Sequence, residues 1–259
     1  MPQKLDNMRT QKNNFIKAIE FALSNQSGFV ENKPSGKTNP YYIGFGNPES
    51  DIIMFGQEKA IASNNVEQIW LESNQNPNQW KRFLSGEIKE KHQRFFPQTK
   101  THYQNPLRPY CYYPKGGTWK NYQNIISSVY PDLHREDHEA TFLDQSFISE
   151  VNSAVAKIQL GKQVENERAE FLNKDFFKEF PVTILAIGNY LKPDQIENWL
   201  NVNSENGHSH PYRKLLVYKS SDKKRLVLHT RQMSRLTMNI DKREQYFGTI
   251  KKLITEHLK

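Results

Sequence analysis

The chain has 259 residues, 36% of them hydrophobic and 12% aromatic, which excludes a disordered chain and suits one large α/β domain or two small ones. Its formal net charge is +8, with a pI near 9.3, a balance that favours polyanionic partners because Lys and Arg release condensed counterions on meeting phosphates. A single cysteine, Cys111, excludes an internal disulfide framework and a thiolate metal site; it reads as a buried bystander, since no cysteine-enzyme motif surrounds it.

In chain order, residues 1–13 are polar and are expected to be flexible, with no apolar run of the signal-peptide kind. Residues 14–25 predict a helix with Phe15, Ile16, Ala18, Ile19, Phe21 and Ala22 as its apolar stripe. Residues 26–40, rich in Ser, Gly, Asn and Pro, predict a loop. Residues 50–56 form a short apolar run ending in Gly56, the pattern of a buried parallel strand with a loop at its carboxyl end. Residues 62–117 are rich in Asn, Gln, Pro and aromatics and predict one or two helices in a loop-rich insertion. Further strands are expected at 147–151, 182–188 and 225–229, and helices at 119–129, 166–179, 192–200 and 242–258, the last with Tyr246, Ile250, Leu253 and Ile254 inward. Strands alternating with helices predict a three-layer α/β/α fold around a central four-stranded parallel sheet. A single domain over 1–259 is expected, with no repeat and no clear boundary. No stretch approaches eighteen apolar residues, so a cytoplasmic, reduced protein without membrane contact is expected.

Three motifs are set aside. Ser35-Gly36-Lys37-Thr38 resembles the end of a phosphate loop, but Glu31 stands where that loop needs glycine. His208-Ser209-His210 has no third metal ligand at a useful spacing. Glu87-Ile88-Lys89 has the acid-x-lysine spacing of a nuclease superfamily, but in a helical stretch rather than on a strand.

Ligands of open parallel sheets bind beyond the carboxyl ends of the strands. Gly56-Gln57-Glu58 stands at the first such end, Asn152 at the second, and His229-Thr230-Arg231-Gln232-Met233-Ser234 at the fourth. A carboxylate, an amide and an imidazole at one crevice have the chemistry to read and attack a nucleobase.

These residues resemble the uracil-DNA glycosylase superfamily. Gly56-Gln57-Glu58 is similar to its first motif, Gly-Gln-Asp-Pro-Tyr-His, and His229–Ser234 to its last, His-Pro-Ser-Pro-Leu-Ser. Asn152-Ser153-Ala154-Val155 resembles the strand end whose Asn reads the base. Gly116–Asn121 resembles the loop and helix start that pinches the DNA backbone. The four come in the family's order and span about residues 40–258, with few identities between them. The resemblance implies a hydrolase acting on N-glycosyl bonds of DNA, in single- or double-stranded form, without metal or cofactor, that flips a base and excises it. Glu58 and His229 would be catalytic, Glu58 orienting a water and His229 stabilising the departing base. Gln57, Asn152 and Ala60 would bind the base, Asn152 through the donor and acceptor of its amide. Thr118, Arg231, Met233 and Ser234 would bind DNA, Met233 as the wedge that fills the gap left by a flipped base. Arg235, Lys223, Lys224 and Arg225 would add positive field. Tyr110, Tyr112 and Tyr113 either stack on bases or pack in the core, and Trp119 packs.

The sequence departs from the family at Lys59, Ala60 and Ile61, which replace Pro, Tyr and His. That Tyr blocks substituted pyrimidines, so Ala60 implies either a pocket for a larger, modified base or no uracil pocket at all. Two other readings stay open: a non-catalytic nucleic-acid or nucleotide binding module on the same fold, and a metal-dependent nuclease.

Overall fold

In the computed structural model the described residues are 2–34, 36–59, 61, 63–88, 105–109, 117–133, 140–155, 161–205, 215–236 and 239–259, the side chains of 2–9 and 235 excepted. Seven strands and eight α-helices are found among them, which makes this an α/β protein. In chain order they are α1 (Pro2–Asn25), β1 (Phe45–Gly46), β2 (Ile52–Gly56), α2 (Val66–Ile69), α3 (Asn76–Leu84), α4 (Gly117–Val129), β3 (Phe147–Glu150), α5 (Lys162–Leu172), α6 (Asp175–Lys178), β4 (Val182–Ala186), α7 (Pro193–Leu200), β5 (Asn203–Ser204), β6 (Leu215–Lys219), β7 (Leu226–Thr230) and α8 (Ile240–His257). The chain forms two compact units: Met1–Glu49, Glu58–Tyr110 and Ile148–Lys178 make the first, Ser50–Gln57, Cys111–Phe147 and Glu179–Lys259 the second.

In the second unit β2, β4 and β7 run parallel, with Ile52 beside Val182 and Val182 beside Leu226. Every residue of β4 and β7 is buried, as is Ile52–Phe55 of β2, so these strands favour apolar side chains on both faces and read as mainly apolar runs, interrupted only by Thr183 and by His229-Thr230 at the end of β7. The expected all-parallel, four-stranded sheet is corrected here. β6 pairs antiparallel with β7, and β5 antiparallel with β6, so the second unit alone holds five strands of mixed direction. The reason is local. Leu215-Leu216-Val217-Tyr218 is a strand-prone run that reverses through residues 220–225, where Lys223 adopts φ 58° and the Ser220 N–H donates to the Arg225 carbonyl at 3.1 Å. In this unit α4 packs on α8, with Tyr122, Ile125 and Ile126 of one and Tyr246, Phe247, Ile250 and Ile254 of the other buried.

In the first unit α1 starts at Pro2, a favourable first helical residue, so the backbone expected to be flexible over 1–13 is helical from residue 2. Its buried stripe is Phe15, Ala18, Ile19 and Ala22, and Phe15 meets Trp80 and Phe176 at centroid distances of 4.8 Å. The helix expected over 166–179 is two helices, α5 and α6, broken at Asn173. β1 and β3 are hydrogen-bonded neighbours. The amide-rich composition of 26–80 has a structural use. Asn76, fully buried, accepts from the N–H groups of Ile43 and Gly44 (2.9 and 3.2 Å) and donates to the Gly44 carbonyl at 3.0 Å. Asn39 likewise donates to Gln26 and accepts from the Tyr41 N–H. Buried loop backbone is thus satisfied by side chains where no ladder reaches it.

Candidate functional site

In the second unit the register places Gly56 beside Ala186 and Leu185 beside His229, so the carboxyl ends of β2, β4 and β7 lie level. Beyond them is a cavity of about 450 Å³ lined by Gln57, Ile187, Gly188, Asn189, Tyr190, Arg231 and Gln232. The Gln232 amide donates to the Gln57 side-chain oxygen, which joins two of the sequence motifs directly. Gly188 holds the third strand's turn in place. Its N–H donates to the Thr230 carbonyl at 3.1 Å, and its own carbonyl accepts from His229 Nε2 at 2.6 Å. Gly188 has φ 63°, a backbone conformation costly for a side chain, although a Cβ there would only touch Gln232 at 3.6 Å. A third motif joins through Asn121, whose amide donates to the Met233 carbonyl at 2.7 Å, tying α4 to the turn after β7.

The sequence-predicted residues fall as follows. Gln57 and Arg231 line the cavity. His229 is 4% exposed, and because a carbonyl only accepts, its Nε2 carries a proton. Thr118 is half-buried in the first turn of α4, and Ser234 is exposed. Met233 is 1% exposed and packs into the core, so its side chain does not project as a wedge; the 233–235 turn that Asn121 anchors presents Ser234 instead. Arg225 is tied to the end of α7, where its guanidinium donates to the Leu200 and Asn201 carbonyls, neutral partners that leave its charge in place. Ala60, Cys111, Tyr110, Tyr112, Tyr113, His208 and His210 lie outside the described residues. The sequence reading missed Asn189 and Tyr190, and named Gln232 within the last motif without giving it a role. The signal was present: Ala186-Ile187-Gly188-Asn189 ends its strand as Phe55-Gly56-Gln57 does.

Glu58 and Asn152 belong to the first unit, where the segments that carry them run side by side. Lys59 bridges in parallel to Val155, and its N–H reaches the Ala154 carbonyl at 3.4 Å. Asn152 accepts from the Ala154 N–H at 2.9 Å, a turn-forming use of its oxygen that leaves its NH₂ group to donate. Beside them is a buried charged cluster. The Lys59 ammonium sits 3.2 Å from Glu150 and 3.2 Å from the centroid of the Tyr42 ring. Burial lowers the Lys59 pKa, against the pull of Glu150 and Glu72. Glu72, in the π-helical turn Trp70–Asn74, is pushed up to about 7 by burial, with Lys59 opposing. Arg168 is lowered to about 10 by burial; it donates to the Pro40, Tyr42 and Glu150 carbonyls and to Ser149. Groups perturbed this strongly are found both at functional sites and in structural ion pairs.

Among the described residues no group of three or more His, Cys, Asp or Glu is placed to hold a metal ion, and no helix is long and apolar enough to cross a membrane. Comparison with family models, curated proteins and solved structures finds no match for the chain.

Proposed function

We propose that the chain is a DNA glycosylase-like hydrolase, built on the three-layer plan of the uracil-DNA glycosylase superfamily, that flips an unusual or modified base and cleaves its N-glycosidic bond. One observation carries the reading: the cavity at the carboxyl ends of β2, β4 and β7, where Gln57 of the first motif is hydrogen-bonded to Gln232 of the last. In open sheets this is where ligands bind. On this reading Gln57 contacts the base, and Glu58, next in the chain after Gln57, orients the attacking water. His229 stabilises negative charge on the departing base. To donate its Nε2 proton to a base oxygen, the ring exchanges the Gly188 carbonyl for that oxygen. Arg231 supplies positive charge for the DNA backbone, in keeping with the net charge of +8.

The test is release of free base from oligonucleotides carrying uracil, other deaminated bases and bulky modified pyrimidines, with chelator present. Release that vanishes in Glu58→Gln supports the reading; no release from any substrate by folded protein overturns it. A second reading, recognition without catalysis, is favoured by the His229–Gly188 contact, which occupies the imidazole proton that catalysis needs. DNA binding that persists in both Glu58→Gln and His229→Ala, with no base release by the parent, selects it.

A further inference from the structure

We infer that the Ile187–Tyr190 turn after β4 is a nucleotide-reading element through which the chain takes single-stranded DNA: Asn189 meets the edge of an unstacked base, Tyr190 its face, and Arg231 the adjoining phosphate. The inference deepens the glycosylase-like reading and rests on it only for the chemistry that follows binding.

The lining of the cavity sets the ligand class. Among the described residues it contains three amides, one guanidinium and one phenol, and no carboxylate. Two of the amides, Gln57 and Gln232, are engaged with each other. The third, Asn189, is exposed and makes no hydrogen bond to another described residue, so its donor and acceptor are open to a base edge. Arg231 is half-buried and has no carboxylate partner among the described residues. A guanidinium without a described carboxylate partner, beside an amide-lined cavity, fits a ligand that is both anionic and rich in planar polar edges. A nucleotide has both properties. A cavity of about 450 Å³ is of a size to take one.

The backbone of the turn is fixed before any ligand arrives. Gly188 is held to β7 at both its N–H and its carbonyl, and the Tyr190 N–H donates to the Ile187 carbonyl at 3.2 Å. Asn189 and Tyr190 therefore project from a rigid base, which lowers the ordering cost of binding. Tyr190 is 39% exposed and stands in the cavity wall. An exposed ring of this kind offers a stacking platform only to a base already out of a duplex, and it does so for any base. Hence the preference for a single strand.

The experiment uses the full chain and a fluorescein-labelled single-stranded DNA of about a dozen nucleotides, with the duplex of the same sequence as comparison. Binding is read by anisotropy at two salt concentrations, and base release is assayed on the same samples. Expected results are tighter binding of the single strand, a loss of about tenfold in Tyr190→Ala with recovery in Tyr190→Phe, and a shallower salt dependence in Arg231→Gln. Tyr190 is at the surface, and thermal unfolding of its variants checks that they fold. Equal affinity of Tyr190→Ala and parent, or tighter binding of the duplex, overturns the inference. If base release persists with unchanged KM in Tyr190→Ala, the turn has no such role and the glycosylase reading stands. If stacking-dependent binding occurs without base release, the turn's role stands and the glycosylase reading falls. No binding by folded protein removes both.

Discussion

Replacing Glu72 by Gln tests the electrostatics of the buried cluster. Glu72 lies in the turn Trp70–Asn74, is 5% exposed, and accepts a hydrogen bond from the Gln68 amide at 2.7 Å. Its pKa rises from 4.5 to about 7, with burial as the largest cause. A carboxyl whose folded pKa is raised holds its proton more tightly in the folded chain than in the unfolded one. Its contribution to stability is therefore whole below about pH 4.5 and is lost as pH rises through about 7. At about 1.4 kcal/mol per pH unit, the loss amounts to about 3 kcal/mol by pH 8. A Gln at this position keeps an oxygen for Gln68 and carries no charge to desolvate. The Glu72→Gln protein is expected to match the parent near pH 4.5 and to exceed it by about 3 kcal/mol at pH 8, a rise in Tm of about 6–12 °C for a chain of this size. Urea and thermal unfolding between pH 4.5 and 8.5 measure it. A variant no more stable than the parent at pH 8 would refute the reasoning. It would show that the Glu72 charge gains more from Lys59 than its burial costs.

Two further substitutions probe the first unit. Lys59→Met leaves Glu150 without its cation in a site where the two side chains are 4% and 12% exposed, and should cost about 3–5 kcal/mol in urea unfolding. Lys59→Arg restores the charge and should recover part of the loss; a cost under about 1 kcal/mol for Met denies that the pair is buried in energetic terms. Asn76→Ala removes the acceptor for two buried N–H groups and the donor to Gly44. It should cost about 2–4 kcal/mol, with faster hydrogen exchange confined to the Ile43 and Gly44 amides. Unchanged exchange there means that water replaces the amide.

Those parts of the fold that bury both faces of a strand could be read from residues alone. β2, β4 and β7 are mainly apolar runs, and α8 shows its stripe at Tyr246, Ile250 and Ile254. β6 was equally legible in Leu215–Tyr218 and was overlooked, which made the expected sheet all parallel. β5 was not legible: Asn203 and Ser204 are exposed and polar, and form a strand only because β6 offers a free edge. In the site, Gln57 and Arg231 follow from asking what stands past a strand end, and Asn189 would have followed from asking it of β4. The burial of Lys59 could not be foreseen. A lysine in a loop is ordinarily solvated, and its partner Glu150 lies 91 positions away, brought close by the bridge between residues 59 and 155.

The two units are interleaved along the chain. The first closes only with residues 148–178, where Arg168 takes the Pro40 carbonyl 128 positions back; the second opens at Ser50 and closes only with residues 179–259. No single cut therefore separates them. A fragment ending at residue 178 carries every segment of the first unit but, of the second, lacks β4, β7 and α8. During synthesis the N-terminal third must wait for a helix more than a hundred residues downstream before its loop carbonyls are satisfied. Vectorial folding of this chain is a sequence of deferred closures, and truncation libraries should yield soluble protein at full length rather than at either unit's nominal boundary.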